Sequence, residues 1–176
     1  MPNVRTLVGD GFTLEPQLEA HAAELFKVLN DPVLYEFDNQ PPASETWLRL
    51  RFKHLESRRS PDGHQRWLNW VVRLASGEAV GYVQATAWPE GRALVAYVLG
   101  SVYWGCGLAT RAVDRMRLEL VEAYGVLELR AEFFERNRRS LRLLERLGFQ
   151  RASAAVLAEH PLSLGEILMS RPAAET

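Results

Sequence analysis

One cysteine, Cys106, stands among 176 residues. A lone thiol makes no internal disulfide and no multi-thiolate zinc site. An excess of either charge is also missing: 21 basic residues face 22 acidic ones, for a formal net charge of −1. That balance excludes a protein that reads nucleic-acid phosphates by bulk charge and a disordered acidic tail. No run of about 18 apolar residues exists, so no membrane-spanning helix is expected. Met1 to Asp10 lacks the charged-then-apolar pattern of a secretory signal. The expectation is a cytoplasmic protein with neither a membrane nor a nucleic-acid partner. Repeats and low-complexity linkers are absent too. The chain reads as one domain over 1–176, long enough to bury roughly 70% of its unfolded surface without staples.

Phe12 to Pro16 alternates as a short strand, and Leu18 to Asn30 carries apolar residues at helical spacing before Asp31-Pro32 stops it. Tyr35 to Pro42 reads as a loop. Ser44 is a helix N-cap candidate for a segment running to about Glu56. Trp67 to Leu74, Val80 to Trp88 and Arg92 to Leu99 follow as three strands of an antiparallel meander. The texture then changes. Gly100 to Gly107 is a glycine-bearing loop, and Leu108 to Tyr124 is an amphipathic helix with Gly125 as its stop. Val126 to Phe134 reads as a strand and Asn137 to Leu147 as a helix. Gln150 to Ala158 and Leu164 to Met169 read as closing strands. The pattern predicts an α+β fold, with about four helices around one mixed sheet of six to seven strands.

The densest signal is Tyr97 to Thr110, a strand that feeds Gly100, Gly105 and Gly107 into a helix N-terminus. Glycines let an anion approach the main chain, and first-turn amides without intrahelical partners, at the positive end of the helix dipole, bind phosphate. A plain strand-to-helix turn fits the same segment. A P-loop needs Lys-Ser/Thr after its glycines, whereas Leu108-Ala109 follow Gly107. A dinucleotide fold needs the unit after its first strand, whereas a meander precedes it.

With these residues in view, the chain resembles the GNAT superfamily of N-acetyltransferases, and most closely its Rim-type branch of ribosomal-protein N-terminal acetyltransferases. Trp104-Gly-Cys-Gly107-Leu-Ala109-Thr is similar to the superfamily's Gln/Arg-x-x-Gly-x-Gly/Ala pyrophosphate motif, with the Trp of the Rim-type branch in first place. Asn137-Arg-Arg-Ser140 followed by Leu-Gly-Phe149 resembles that branch's second signature. Phe-Thr-Leu-Glu-Pro16 and Asn-Asp-Pro32 resemble its opening. The resemblance covers roughly Gly11 to Ser170.

The resemblance implies acetyl-CoA as co-substrate and direct transfer of acetyl to a primary amine, in a monomer or homodimer. It implies pantetheine between two splayed strands, paired with main chain at Val98 and Leu99. It implies pyrophosphate on the amides of Gly105, Cys106, Gly107, Leu108, Ala109 and Thr110, with Trp104 also in the coenzyme site. Arg111 and Arg142 are candidate phosphate contacts, and each reads equally as a solvated helix charge. Asn137 is implied as a cap that also contacts the pantetheine arm. Many family members place a Tyr in the helix that starts near Asn137. Here there is none, and Ser140 matches the branch's alternative, a hydroxyl that bonds the sulfur. The strand position that often holds Glu is apolar (Ala93, Leu94, Val95), so Glu132, or Glu159 and His160 before Pro161, acting through water, are the base candidates, with transfer by proximity alone as the alternative. Tyr35, Glu36, Phe37, Asp38 and Trp47 are implied as the acceptor wall. The alternative is a non-catalytic acyl-CoA-binding sensor or partner domain.

Overall fold

The computed structural model describes residues 4–37 and 39–174. Among the described residues, eight strands form one sheet in the order β1-β2-β3-β4-β5-β6-β8-β7. They are β1 (Leu7–Gly9), β2 (Phe12–Pro16), β3 (Arg66–Leu74), β4 (Ala79–Ala87), β5 (Arg92–Leu99), β6 (Glu128–Phe134), β7 (Gln150–Arg151) and β8 (Glu166–Pro172). Five α-helices among the described residues cover the sheet: α1 (Ala22–Leu29), α2 (Glu45–Leu55), α3 (Leu108–Tyr124), α4 (Arg138–Arg146) and α5 (Ala154–Glu159). The α+β expectation holds. The extra strand is the short edge piece β1, whose brevity leaves little period-2 signal to read.

Strand alternation sorts side chains to two faces. Trp70, Val83 and Val95 point into the larger core, which holds Met116 and Leu120 of α3 and Leu144 of α4. Val71, Tyr82 and Val98 point to the other side, against Leu25 of α1 and Phe52 of α2. Arg73 ties α1 to this side through Glu24 at 2.7 Å and Glu15 at 2.8 Å.

Two expectations are corrected. Gln150 to Ala158 is not one strand: it pairs with β8 only at Gln150 and Arg151 and then becomes α5. The Ser153 side chain caps Val156 N–H at 3.4 Å, and the Ala-Ala-Val-Leu-Ala-Glu run is mostly strong helix formers. The first helix begins at Ala22 rather than Leu18, because Glu19–His21 form a tighter 3-10 turn with His21 Nδ1 accepting from Leu18 N–H at 2.9 Å.

One topological feature positions the site. β5 and β6 are parallel but pair only from Arg92↔Glu128 to Leu94↔Arg130. Beyond that point each strand follows its outer partner: β5 stays with β4 as far as Leu99, and β6 stays with β8 as far as Phe134. The two therefore diverge at the cost of one ladder only, and a splay opens in the middle of the sheet.

Candidate active site

The main chain beside the splay wants partners. Gly100 N–H donates to Val80 O at 2.9 Å, and Arg92 O accepts from Trp88 N–H at 2.9 Å. By alternation, the even-numbered peptide groups of β5 face β4, and those of Val95, Tyr97 and Leu99 face the splay. Leu99 O is taken by Trp104 Nε1 at 3.0 Å. The Tyr97 and Leu99 amides remain to meet a ligand, since buried peptide groups need partners. This corrects the expectation for Val98: its carbonyl points toward Gly81, on the β4 side.

The splay joins two cavities of about 470 Å³ each, on opposite faces of the sheet. The groove on the α3/α4 side is lined by Val98, Leu99, Trp104, Gly105, Gly107, Leu108, Ala109, Thr110, Asn137, Ser140 and Arg142. Gly107 is the N-cap of α3, with φ 75° and no side-chain cap bond, and Gly105 has φ 78°. Both sit in the left-handed region, where a side chain is strained. The result is a turn that bares the first amides of α3, in the geometry that suits an anion. Across the groove, α4 presents Arg139, Arg142 and Arg146. Their spacing of three and four residues puts them on one helix face. That spacing was readable from the sequence, where the basic run at Arg136–Arg139 reads as a solvated helix start. Two anion-loop candidates lie elsewhere. Cys106 is exposed, with Sγ donating to Tyr103 O at 3.0 Å, and Arg111 folds back to Cys106 O at 3.4 Å. Neither lines the groove.

The second cavity lies under α1 and α2. Tyr35, Phe37 and Trp47 line it, as do Glu132, Ser140 and Asn137. Glu36 does not: it pairs with Arg139 at 3.5 Å, and Arg139 stacks 3.7 Å above the Trp104 ring. Arg136 donates to Phe37 O at 3.1 Å. The loop before Asn39 is thus pinned to the start of α4, and its acid serves the cofactor-side mouth. Asp38 lies outside the described residues. Glu132 is the one carboxylate lining this cavity among the described residues. It is hydrogen-bonded to His160 Nε2, which stands behind it rather than in the cavity. Sequence reasoning missed Gln17, Tyr82, Gln84 and Arg51 here, because the end of β2, β4 and α2 bring them together from distant positions.

Ser140 and Asn137 line both cavities. Asn137 caps α4, its Oδ1 accepting from Ser140 N–H at 3.2 Å. Tyr97 also lines both. Its hydroxyl is buried without a hydrogen-bond partner of good geometry, and burial pushes its pKa up to about 12, with the nearby Ser140 side chain pulling slightly the other way.

A sequence profile described as the acetyltransferase (GNAT) domain matches residues 12–150. No curated protein sequence matches the chain. Among solved structures, a ribosomal-protein alanine acetyltransferase from Vibrio fischeri shares 19% identity over 97% of each chain, with TM-score 0.76. A ribosomal-protein α-N-acetyltransferase in complex with coenzyme A shares 15% over 95% of this chain and 97% of its own, with TM-score 0.78. An aminoglycoside acetyltransferase bound to ribostamycin and coenzyme A shares 20% over 93% and 94%, with TM-score 0.73. With a splayed sheet, a bared helix N-terminus at the glycine turn and a profile match over most of its length, the chain belongs to the GNAT family of acetyl-CoA-dependent acetyltransferases.

Proposed function

We propose that this protein transfers acetyl from acetyl-CoA to the α-amine of a peptide or aminoacyl compound, in the manner of the Rim-type branch. One observation carries the reading: the splay past Leu94 connects an anion-suited groove to a separate acceptor cavity, and Ser140 borders both.

The coenzyme fits the residues present. The α3 amides and the α4 arginines suit a diphosphate, and the free Tyr97 and Leu99 amides suit an amide-bearing arm that continues the ladder β6 abandons. When bound, acetyl-CoA supplies an activated thioester. The chain's own residues do the rest. Ser140 Oγ–H donates toward the leaving sulfur, stabilising thiolate rather than surrendering a proton. Leu99 N–H polarises a carbonyl at the splay, as preorganised donors do. Glu132, held by His160, draws an ammonium into the cavity and takes its proton, directly or through a water. Holding amine and thioester together supplies much of the remaining acceleration.

The acceptor cavity favours this substrate class over a polycation. Its described lining offers one carboxylate, while Arg51 and the amides of Gln17 and Gln84 offer donors for carbonyl or carboxylate oxygens. Gln17 is 2% exposed with its Nε2 unpartnered.

Calorimetry with acetyl-CoA, coenzyme A and ATP, followed by thiol release with a panel of aminoacyl amides, short peptides, polyamines and aminoglycosides, tests the reading. Acetyl-CoA binding with turnover of α-amines is expected. Tight binding with no turnover favours the acyl-CoA-binding sensor, and preference for polyamines refutes the substrate class.

A further inference from the structure

We infer that Gln84 sets the acceptor preference: its side-chain amide donates to the carbonyl oxygen next to the α-amine, so that the cavity selects an α-amino carbonyl unit rather than an amine alone. This rests on the acetyl-transfer reading above and names the residue that separates one class of amine from another within it.

The register of the sheet puts the groups in one line. Gln84 on β4 is paired with Ala96 on β5 and, on its other side, with Asn69 on β3. Gln17 N–H donates to Asn69 O at 3.0 Å, which extends the line past the end of β2. Across the splay, the β5–β6 pairing ends at Leu94↔Arg130. Two residues further along these strands stand Ala96 and Glu132. Alternation puts the row on the α1/α2 face, because Asn69, Gln84 and Ala96 each lie two residues from Val71, Tyr82 or Val98, which pack there. Gln84, Ala96 and Glu132 all line the acceptor cavity. Glu132 therefore stands on one side of the splay and Gln84 on the other, with the small Ala96 side chain between them.

The spacing suits one substrate unit. Strands lie about 4.8 Å apart, so two steps separate Glu132 from Gln84 by about 10 Å, and by more where the splay widens. Glu and Gln side chains are equally long and stand roughly perpendicular to the sheet, so their tips keep about that separation. The amine nitrogen and carbonyl oxygen of one residue are about 3 Å apart. With a hydrogen bond of about 2.9 Å at each end, the unit spans about 9 Å, or about 12 Å with a water between the amine and Glu132. A lysine ε-amine or a polyamine carries no oxygen at that reach.

The row is also short of acceptors. Gln17 and Asn69 are 2% and 3% exposed, and neither Gln17 Nε2 nor Asn69 Nδ2 has a partner. Gln84 is half-buried, and its side chain makes no hydrogen bond among the described residues. Its row neighbours want acceptors of their own, so the two N–H groups of Gln84 are left for an oxygen that the ligand brings.

The probe pair is alaninamide and isopropylamine, in which a methyl group replaces the carboxamide. The readout is the ratio of their kcat/KM values by thiol release, in the wild type, Gln84→Met and Gln84→Glu. Comparing ratios cancels the different basicity of the two amines and any general damage to fold or acetyl-CoA binding. Met keeps the unbranched shape of Gln without its donors, and an ionised Glu keeps its length with acceptors only. Gln84→Met is expected to lower the ratio about threefold to tenfold, the worth of one hydrogen bond, chiefly through KM for alaninamide. Gln84→Glu is expected to lower it further, because a carboxylate repels the carbonyl oxygen. A ratio that stays at the wild-type value in both variants overturns the inference. Wild-type protein that turns over neither amine removes the acetyl-transfer reading and this inference with it, and that outcome is seen before any variant is compared.

Discussion

Gly81→Ala should disable coenzyme binding from the far side of β5. A Cβ at Gly81 would stand 2.1 Å from Val98 O and 2.8 Å from Leu99 Cα. Both are backbone atoms, so no rotamer change relieves the contact. Real Cβ contacts almost never fall below 3.0 Å, so the two strands must part by about 0.9 Å, the gap between 3.0 and 2.1. The φ of 151° at Gly81 adds strain of its own. Overpacking of this kind costs about 1–3 kcal/mol, or roughly 2–12 °C in melting temperature for a chain of this size. The functional loss is larger, because Val98 and Leu99 line the coenzyme groove. A displacement near 1 Å of a positioning group costs on the order of a hundredfold. Thermal unfolding and acetyl-CoA calorimetry measure the two effects. Gly77→Ala is the control: it sits at the β3–β4 turn with φ 91° and nothing within 4 Å. It should cost about 1–2 kcal/mol of left-handed strain and leave acetyl-CoA affinity unchanged. A Gly81→Ala protein that binds acetyl-CoA like the wild type would refute the claim that β5's position sets the groove.

Ser140→Ala should lower the thiol-release rate by about tenfold to a hundredfold, the worth of a hydrogen bond to a charged group, while acetyl-CoA still binds by calorimetry. Glu132→Gln should lower kcat/KM for the amine by about 10²–10⁴ without changing acetyl-CoA affinity, and His160→Asn should cost less, because His160 touches Glu132 and not the cavity. Leu144→Ala, at 1% exposure between α4 and the cavities, should destabilise the fold by about 2–5 kcal/mol in urea unfolding. The hydrogen bond from Arg73 holds the Glu24 carboxyl below its ordinary 4.5. A depressed carboxylate stabilises the fold above its unfolded pKa and loses that contribution as pH falls through the folded one. Melting temperature should therefore decline from about pH 4.5 downward, and Glu24→Gln should flatten that decline.

Much of this protein is legible in the order of its residues. The meander, the glycine turn, α3 with Gly125 behind it and the Asn137 cap are local events, decided by alternation, helical spacing and capping within a dozen residues. The glycine turn and the Asn137–Ser140 pair, read together, point to the correct family. The segment from Gln150 to Glu159 is illegible by the same means, because a strand of two residues and a helix of six residues are too short to carry a periodic signature.

Other features were decided only when the strands assembled. The splay exists because β5 and β6 each keep a different outer partner, and no stretch of sequence records which ladder will be given up. Arg139, still exposed, lies over Trp104 and pairs with Glu36, and Glu36 left the acceptor wall, because α4 docks against the loop near Phe37. Glu132 met His160 across a separation of 28 residues. Local chemistry sets each element and its caps. Which polar groups end up facing one another across a gap is a property of packing, and that packing sets Ser140 at the border of both cavities.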